Sequence, residues 1–177
     1  MKIVVVGTRG IPDIQGGVET HCEELYPRLA AMGHDVTVVR RSCYVTPQNK
    51  IKEYKGVHLK DIYAPRRKSI EAIVHTFLAI IYARWVGADV LHIHAIGPAL
   101  LTPLARLLGL RVVMTHHGPD YDRQKWNKTA KSVLRWGERM GTNYANEVIV
   151  ISTVIDNILR EKYDRTDAHL IYNGVNK

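Results

Sequence analysis

Histidines follow two of the apolar runs in this sequence. His92 and His94 alternate along one run, and His116 and His117 close the next one in the segment THHGPD. Alternation places His92 and His94 on one face of a strand. An imidazole can donate, accept or transfer a proton near neutral pH, so a histidine at a strand end is well placed to act on a substrate. A lone histidine is more often structural, but four at two strand ends favour a functional site.

A glycine-rich stretch follows the first apolar run. It reads GTRGIP from Gly7 and continues to Gly16 and Gly17, just before a helical pattern. Glycines ahead of a helix let backbone amides approach a phosphate, and the helix N-terminus adds partial positive charge. The dinucleotide fingerprint G-x-G-x-x-G is not met, because Gly7 and Gly10 are three residues apart. On spacing alone, a tight turn that needs glycine is an equally good interpretation.

Metal and nucleic-acid sites are not predicted. The four histidines offer enough nitrogens for zinc, yet they form no H-E-x-x-H or H-x-E pattern, and the sequence contains no C-x-x-C pattern. Cys22 and Cys43 lie elsewhere and are too few for a disulfide framework, which favours a reducing compartment. We therefore expect no metal and no cofactor. We also expect no nucleic-acid partner, because no known nucleic-acid module is present.

Composition indicates one soluble globular domain. The chain has 177 residues, of which 46% are hydrophobic and 24% charged, with a net charge of +8. These values exclude disordered and collagen-like proteins. The positive charge includes Arg66-Arg67-Lys68 and a second basic stretch between residues 123 and 135, flanked by Trp126 and Trp136. Such clusters are either solvated faces or contacts to an anionic membrane surface.

Apolar runs alternate with helical patterns along the chain. Strands are predicted at Lys2–Val6, Asp35–Val39, Val57–Ile62, Asp89–Ile93, Arg111–Thr115, Glu147–Ile151 and His169–Tyr172. Helices are predicted between them, at 18–32, Ile70–Val86, Pro98–Leu108, Lys131–Tyr144 and Thr153–Tyr163. This order, without a hairpin signal, predicts an α/β fold with a Rossmann-like, doubly wound, mainly parallel sheet. Ligands of such sheets bind at the carboxyl ends of the strands.

The first helix carries a single apolar stripe. Its members are spaced three or four residues apart: Val18, Cys22, Leu25, Leu29 and Met32. Pro27 interrupts the pattern and predicts a kink, while Gly33 predicts the end of the helix.

Five segments together resemble the N-terminal half of a GT-B glycosyltransferase of the retaining family-four type. They are GTRGIPDIQGGVET, DVLHIHA, VVMTHHGPD, EVIVIS and IYNGVN, and they span nearly the whole chain. The opening is most similar to a rhamnosyltransferase-like subgroup with a G-T-R-G-I-P and G-G-x-E-T pattern.

The resemblance implies a two-domain enzyme. Residues 1–172 would form a Rossmann-like acceptor-side domain. Residues 173–177 would begin the linker to a donor-binding domain, which carries the E-x(7)-E motif of the family. This sequence lacks both that domain and its motif. The full-length protein would be a hexosyltransferase that moves a sugar, with retention, from a nucleotide-diphosphate sugar to a glycan or lipid-linked acceptor. That activity belongs to polysaccharide and cell-envelope biosynthesis, in the cytoplasm or at the inner face of the membrane. This chain alone would be inactive.

The resemblance also implies roles for particular residues. His117 matches the active-site histidine near the transferring sugar, and Gly16 and Gly17 match the loop that approaches the donor diphosphate. The side chains expected to contact the acceptor or the sugar are Glu19, His94 and Asp120. No metal is required. The basic patch Arg66, Arg67 and Lys68 would face an anionic membrane.

Two alternatives stay open. A nicotinamide-dependent sugar-nucleotide enzyme would share the first strand and glycine turn, and Arg40 or Arg41 at the end of the second strand could accept a 2′-phosphate. A non-catalytic module that docks on anionic membranes would explain the positive charge alone.

Overall fold

One eight-stranded sheet organises the part of the chain that the structure describes, residues 1–67, 70–122 and 126–174 of a computed structural model. The strands are β1 (Lys2–Val6), β2 (Asp35–Arg41), β3 (Glu53–Tyr54), β4 (Val57–Ile62), β5 (Val90–His94), β6 (Val112–His116), β7 (Glu147–Val150) and β8 (His169–Leu170). Their order is β3-β4-β2-β1-β5-β6-β7-β8, and every neighbouring pair is parallel except β3 and β4. The predicted Rossmann-like α/β fold is confirmed. Lys68, and residues 175–177 of the predicted linker, lie outside the described residues.

Five α-helices connect the strands within those ranges. They are α1 (Gly17–Ala31), α2 (Glu71–Trp85), α3 (Thr102–Leu107), α4 (Lys128–Tyr144) and α5 (Thr153–Tyr163). The fourth begins three residues earlier than predicted, because Asn127 Oδ1 accepts the Ala130 N–H at 2.8 Å and caps the first turn. A 3₁₀ turn at Pro98–Leu101 precedes α3, where the sequence predicted one continuous helix.

Two local predictions were wrong. Met32 was expected on the buried stripe of α1, but it follows the last helical turn and is 72% exposed. A hairpin also joins β3 to β4, although no hairpin was predicted. Its two turn residues, Lys55 and Gly56, both have positive φ, which is the backbone of a type I′ turn. The expected helix end is correct, since Gly33 has φ +97° and its N–H donates to the Ala30 carbonyl.

Each face of the sheet has its own core. Alternate residues of a strand point to opposite faces, so Val5 packs against α1 whereas Val4 and Val6 pack beneath α2. His92 of β5 pairs in register with Val5 of β1 and therefore points to the α1 face. His94, two residues on, shares that face. The fold thus directs both histidines toward α1.

The end of β1 presses directly against the end of β5. Gly7 has φ +97°, and a Cβ at this position would lie 2.2 Å from the carbonyl oxygen of His94. Only glycine combines that backbone conformation with that contact. Gly7 therefore sets the spacing between the two strands at the point where His94 leaves the sheet.

We expect Gly7→Ala to destabilise the protein by about 3 kcal/mol or more, because the new methyl group must displace the backbone. Gly109→Ala is the matched control, since Gly109 has φ +86° with open space around a Cβ. It should lose only about 1–2 kcal/mol, the cost of the left-handed conformation. Urea unfolding of both variants measures the difference, and equal losses would show that the contact with His94 is unimportant.

Candidate active site

Three elements converge at the carboxyl edge of the sheet. β1 leads through the glycine-rich loop into α1, β5 ends at His94, and β6 is followed directly by His117. Because β5 lies between β1 and β6, these segments are neighbours. His21, in the second turn of α1, brings its ring centroid within 5.7 Å of the His94 centroid and 5.1 Å of the His117 centroid. The fold thus gathers three imidazoles where an α/β sheet binds its ligand.

A continuous chain of hydrogen bonds runs behind His117. Thr115 Oγ1 lies 2.7 Å from His92 Nε2, and His92 Nδ1 lies 2.7 Å from the Tyr26 hydroxyl. That hydroxyl lies 2.5 Å from His94 Nε2, and His94 Nδ1 lies 2.9 Å from His117 Nε2. All but His117 are buried. This set of residues is called the histidine chain below.

Burial keeps the imidazoles of the chain neutral. Desolvation lowers the pKa of His92 to about 3 and that of His117 to about 4, and neighbouring histidines add to both effects. The pKa of His94 is also well below its ordinary value for the same reasons. Desolvation raises the pKa of the Tyr26 hydroxyl, which therefore keeps its proton. At neutral pH every hydrogen bond in the chain joins uncharged groups.

Neutral groups allow the chain two opposite directions of donation, and we expect the one that begins at Thr115. In that direction the Thr115 hydroxyl donates to His92 Nε2, and the His92 proton lies on Nδ1, facing Tyr26. The Tyr26 hydroxyl then donates to His94 Nε2, and the His94 Nδ1–H donates to His117 Nε2. His117 is left with its proton on Nδ1, opposite the nitrogen that faces His94. The chain ends at a buried threonine, so it fixes the orientation of His117 instead of conducting protons to solvent.

A second network, on the other face of the sheet, holds the loop that carries His117. The Gly118 N–H donates to His116 Nδ1 at 3.0 Å, so His116 carries its proton on Nε2, which donates to Glu138 Oε2 at 2.7 Å. Tyr121 and Tyr163 donate to the other carboxylate oxygen at 3.1 and 2.6 Å. Burial opposes ionisation of Glu138, yet these donors hold its pKa below the usual range. A buried carboxylate on α4 thereby anchors the turn after β6.

The predicted phosphate-binding glycines lie at the start of α1. Gly16 and Gly17 are exposed, with Gly17 as the first helical residue. Glu19 is buried behind them: the Arg9 N–H donates to its Oε1 at 3.4 Å, and a Cβ on Gly16 would lie 2.7 Å from its Oε2. Glu19 therefore supports the glycine loop from inside. Its predicted contact with the acceptor or sugar stays a prediction, as does the phosphate contact of the two glycines.

Asp120 lies three residues beyond His117, at the start of a short 3₁₀ turn. It is half-buried, and its N–H donates to the Gly118 carbonyl at 2.9 Å. Its role in substrate contact stays a prediction. His117 itself is half-buried at the edge of the site, where a substrate can reach it.

Sequence analysis missed three residues of this region: His21, Tyr26 and Glu138. Tyr26 follows Cys22 of the buried α1 stripe by one turn, and that spacing was the available signal for its burial. His21 and Glu138 come from helices that meet the strand ends only in the folded chain. No local pattern marks them.

Both arginines that could have bound a 2′-phosphate are paired with carboxylates of the protein. Arg40 is fully buried, and its Nε and Nη2 donate to Asp61 at 2.6 and 3.0 Å. Arg41 is also buried and donates to Glu71 at 2.8 Å. Both guanidinium groups are paired inside the protein. They therefore give the nicotinamide alternative no support.

Sequence comparison supports a single family. The family model described as Glycosyltransferase Family 4 matches residues 15–177. No curated protein matches this sequence.

Solved structures share the fold at low sequence identity. Sucrose-phosphate synthase from Thermosynechococcus elongatus has a TM-score of 0.72 and 20% identity over 99% of this chain and 48% of that chain. Anabaena Alr3699/HepE, in complex with UDP and glucose, has a TM-score of 0.68 and 13% identity over 99% of this chain and 45% of its own. Arabidopsis thaliana UGT89C1, complexed with UDP-L-rhamnose, has a TM-score of 0.57 and 12% identity, over 98% and 52%. This chain thus spans about half the length of each.

Tyr26→Phe should destabilise the protein by about 2–4 kcal/mol, because it leaves one nitrogen each of His92 and His94 without a partner in a buried site. Tyr63→Phe is the control, since Tyr63 is 62% exposed. Chemical denaturation measures both variants. If Tyr26→Phe were as stable as Tyr63→Phe, the central hydroxyl would not hold the histidine chain together.

Proposed function

This chain belongs to Glycosyltransferase Family 4, and we propose that it is the acceptor-side domain of an enzyme that transfers a sugar from a nucleotide-diphosphate sugar. The acceptor is a glycan or a lipid-linked glycan, and the sugar keeps its anomeric configuration. The full-length enzyme is a hexosyltransferase of the rhamnosyltransferase-like subgroup, and it acts in polysaccharide and cell-envelope biosynthesis.

The main support for this proposal is that two different binding groups, backbone amides and a histidine side chain, lie at one edge of the sheet. Exposed amides at the start of α1, at Gly16 and Gly17, suit an anion. The oriented, neutral imidazole of His117 suits the hydroxyls of a sugar. A nucleotide-diphosphate sugar presents both features next to each other. Two of the structural neighbours are complexes with UDP or a UDP-sugar.

Each group has a distinct part in the transfer. As the bond from the sugar to the diphosphate breaks, negative charge grows on the departing phosphate oxygen. Backbone amides and the dipole of α1 stabilise that charge, so the proposed mechanism needs no metal. His117 is uncharged with its proton on Nδ1, so it donates a hydrogen bond to the sugar instead of removing a proton. Its role is positioning and polar stabilisation.

The donor nucleotide is proposed to bind mainly to a second domain. The E-x(7)-E motif of the family is absent from residues 1–177, which span about half of each structural neighbour described above. We infer that residues 1–172 form the acceptor side of a cleft and that this chain alone does not catalyse transfer.

The surface supports a peripheral membrane location at the inner face. No helix in residues 1–67, 70–122 and 126–174 is long and apolar enough to cross a membrane. On α2, however, Phe77, Ile81 and Trp85 recur every four residues and are 46%, 46% and 82% exposed. Arg66 and Arg67 are exposed just before this helix. An aromatic stripe beside basic residues fits the interface of an anionic bilayer, where a lipid-linked acceptor would lie.

His117→Ala in the full-length enzyme should lower kcat by about 10²–10³-fold, the usual effect of removing one transition-state hydrogen bond. KM for the nucleotide sugar should change little, because the nucleotide binds elsewhere. His58→Ala, which removes an exposed imidazole on β4, is the control. Steady-state kinetics test the prediction, and a fully active His117→Ala enzyme would remove this residue from the site.

The double variant Phe77→Ser/Trp85→Ser should greatly reduce flotation of the protein with anionic liposomes, because it removes the apolar part of the membrane contact. Trp136→Ser is matched in chemistry, since Trp136 is 65% exposed but lies on α4. It should float like the wild type. Equal flotation of the double variant and the wild type would contradict binding through α2.

A further inference from the structure

We propose that His21, His94 and His117 form a binding site for a divalent transition-metal ion such as Zn²⁺. The sequence predicts no metal, because the four histidines considered there form no H-E-x-x-H or H-x-E pattern and no C-x-x-C pattern is present. In the structure the cluster has different members. His116 contacts Glu138 instead, and His21 of α1 lies with His94 and His117. One nitrogen from each of His21, His94 and His117 lies within 4.8 Å of the others.

The separations of the ring centroids match those of three ligands of a tetrahedral ion. With metal–nitrogen bonds of about 2.0–2.1 Å at tetrahedral angles, the ring centroids would be about 5.2 Å apart. The observed separations are 5.1 Å for His94 and His117, 5.1 Å for His21 and His117, and 5.7 Å for His21 and His94. His94 Nδ1 and His117 Nε2 already lie 2.9 Å apart. These two nitrogens face each other across their hydrogen bond, so all three rings must turn to direct a nitrogen at one ion.

The ligands also have the outer contacts that metal-binding histidines usually have. The second nitrogen of His94 is held by the Tyr26 hydroxyl. The side chain of Asn173, from beyond β8, lies beside the His21 ring. Such contacts fix the orientation of an imidazole and raise its affinity for metal. Three imidazoles without a carboxylate or a thiolate suit Zn²⁺, Cu²⁺, Ni²⁺ or Co²⁺ better than Mg²⁺ or Ca²⁺.

Metal binding would reverse the direction of the hydrogen bonds in the histidine chain. To bind an ion, His94 must give up the proton on Nδ1 and carry one on Nε2, which then donates to Tyr26. The Tyr26 hydroxyl turns to donate to His92 Nδ1, and His92 carries its proton on Nε2. The number of protons is unchanged, so no proton is released. His92 thus changes tautomer although it does not touch the ion.

The ion would keep one open coordination position, because the protein supplies three ligands. It would also replace the hydrogen bond between His94 and His117. If the proposed transferase function is correct, occupancy therefore inhibits transfer, since His117 is drawn to the ion and away from its catalytic orientation. The existence of the site does not depend on that function.

Isothermal titration of the 177-residue chain with Zn²⁺ tests the site directly. We expect one saturable site in the wild type and loss of that site in His21→Gln, which keeps a polar side chain of similar length on α1. Asn173→Ala removes an outer contact but no ligand, and should weaken binding by roughly 10–100-fold. His58→Ala is the matched control and should bind like the wild type, because His58 is exposed on β4.

Ring ¹⁵N NMR of the same samples supplies a second readout. Zn²⁺ should move the His92 proton from Nδ1 to Nε2 in the wild type and leave it in place in His21→Gln. Absence of saturable binding, equal affinity of His21→Gln and wild type, or a loss in His58→Ala would each overturn the proposal. In the full-length enzyme, inhibition by Zn²⁺ that His21→Gln relieves would confirm the consequence. Binding without any transferase activity would count against the proposed function and leave the site intact.

Discussion

The buried imidazoles of His92 and His94 are uncharged and hydrogen-bonded at both nitrogens, and this constraint shapes the centre of the protein. Leaving a polar nitrogen unpaired in a dry site costs about 1–3 kcal/mol, so each histidine on the α1 face needs a partner. Tyr26 supplies partners to both His92 and His94 from the opposite side of the same space. That one hydroxyl connects both buried histidines, and His94 in turn contacts His117.

The alternation of a β-strand lets adjacent histidines serve different purposes. His116 and His117 are neighbours in sequence, yet His116 reaches Glu138 on α4 whereas His117 reaches His94. One network anchors the backbone of the turn and the other orients the ring that the turn carries. The loop after β6 is therefore held from both faces of the sheet. This double support suits a site that must present a neutral donor without rearrangement.

Local sequence patterns predicted much of the fold. They failed where a feature depends on one side chain, or on contacts that form only in the folded chain. Buried parallel strands are continuous apolar runs, so Lys2–Val6 and Glu147–Val150 were recognisable by composition alone. The end of α1 at Gly33 was equally local. The start of α4 was missed because it depends on one side-chain cap at Asn127, and the β3–β4 turn because Lys55 takes a conformation more typical of asparagine or glycine. His117 was expected at the site, but His21 and Tyr26 were not, because their contacts exist only after α1 packs on the sheet.

Ring ¹⁵N NMR of the histidines in the metal-free protein at neutral pH would show in which direction the histidine chain donates its hydrogen bonds. Each protonation state of an imidazole has its own pair of nitrogen shifts, so the spectrum reads tautomers without altering the site. We expect neutral rings with the proton on Nδ1 in His92, His94 and His117, and on Nε2 in His116. A doubly protonated His117, or a His92 with its proton on Nε2, would contradict the histidine chain as described.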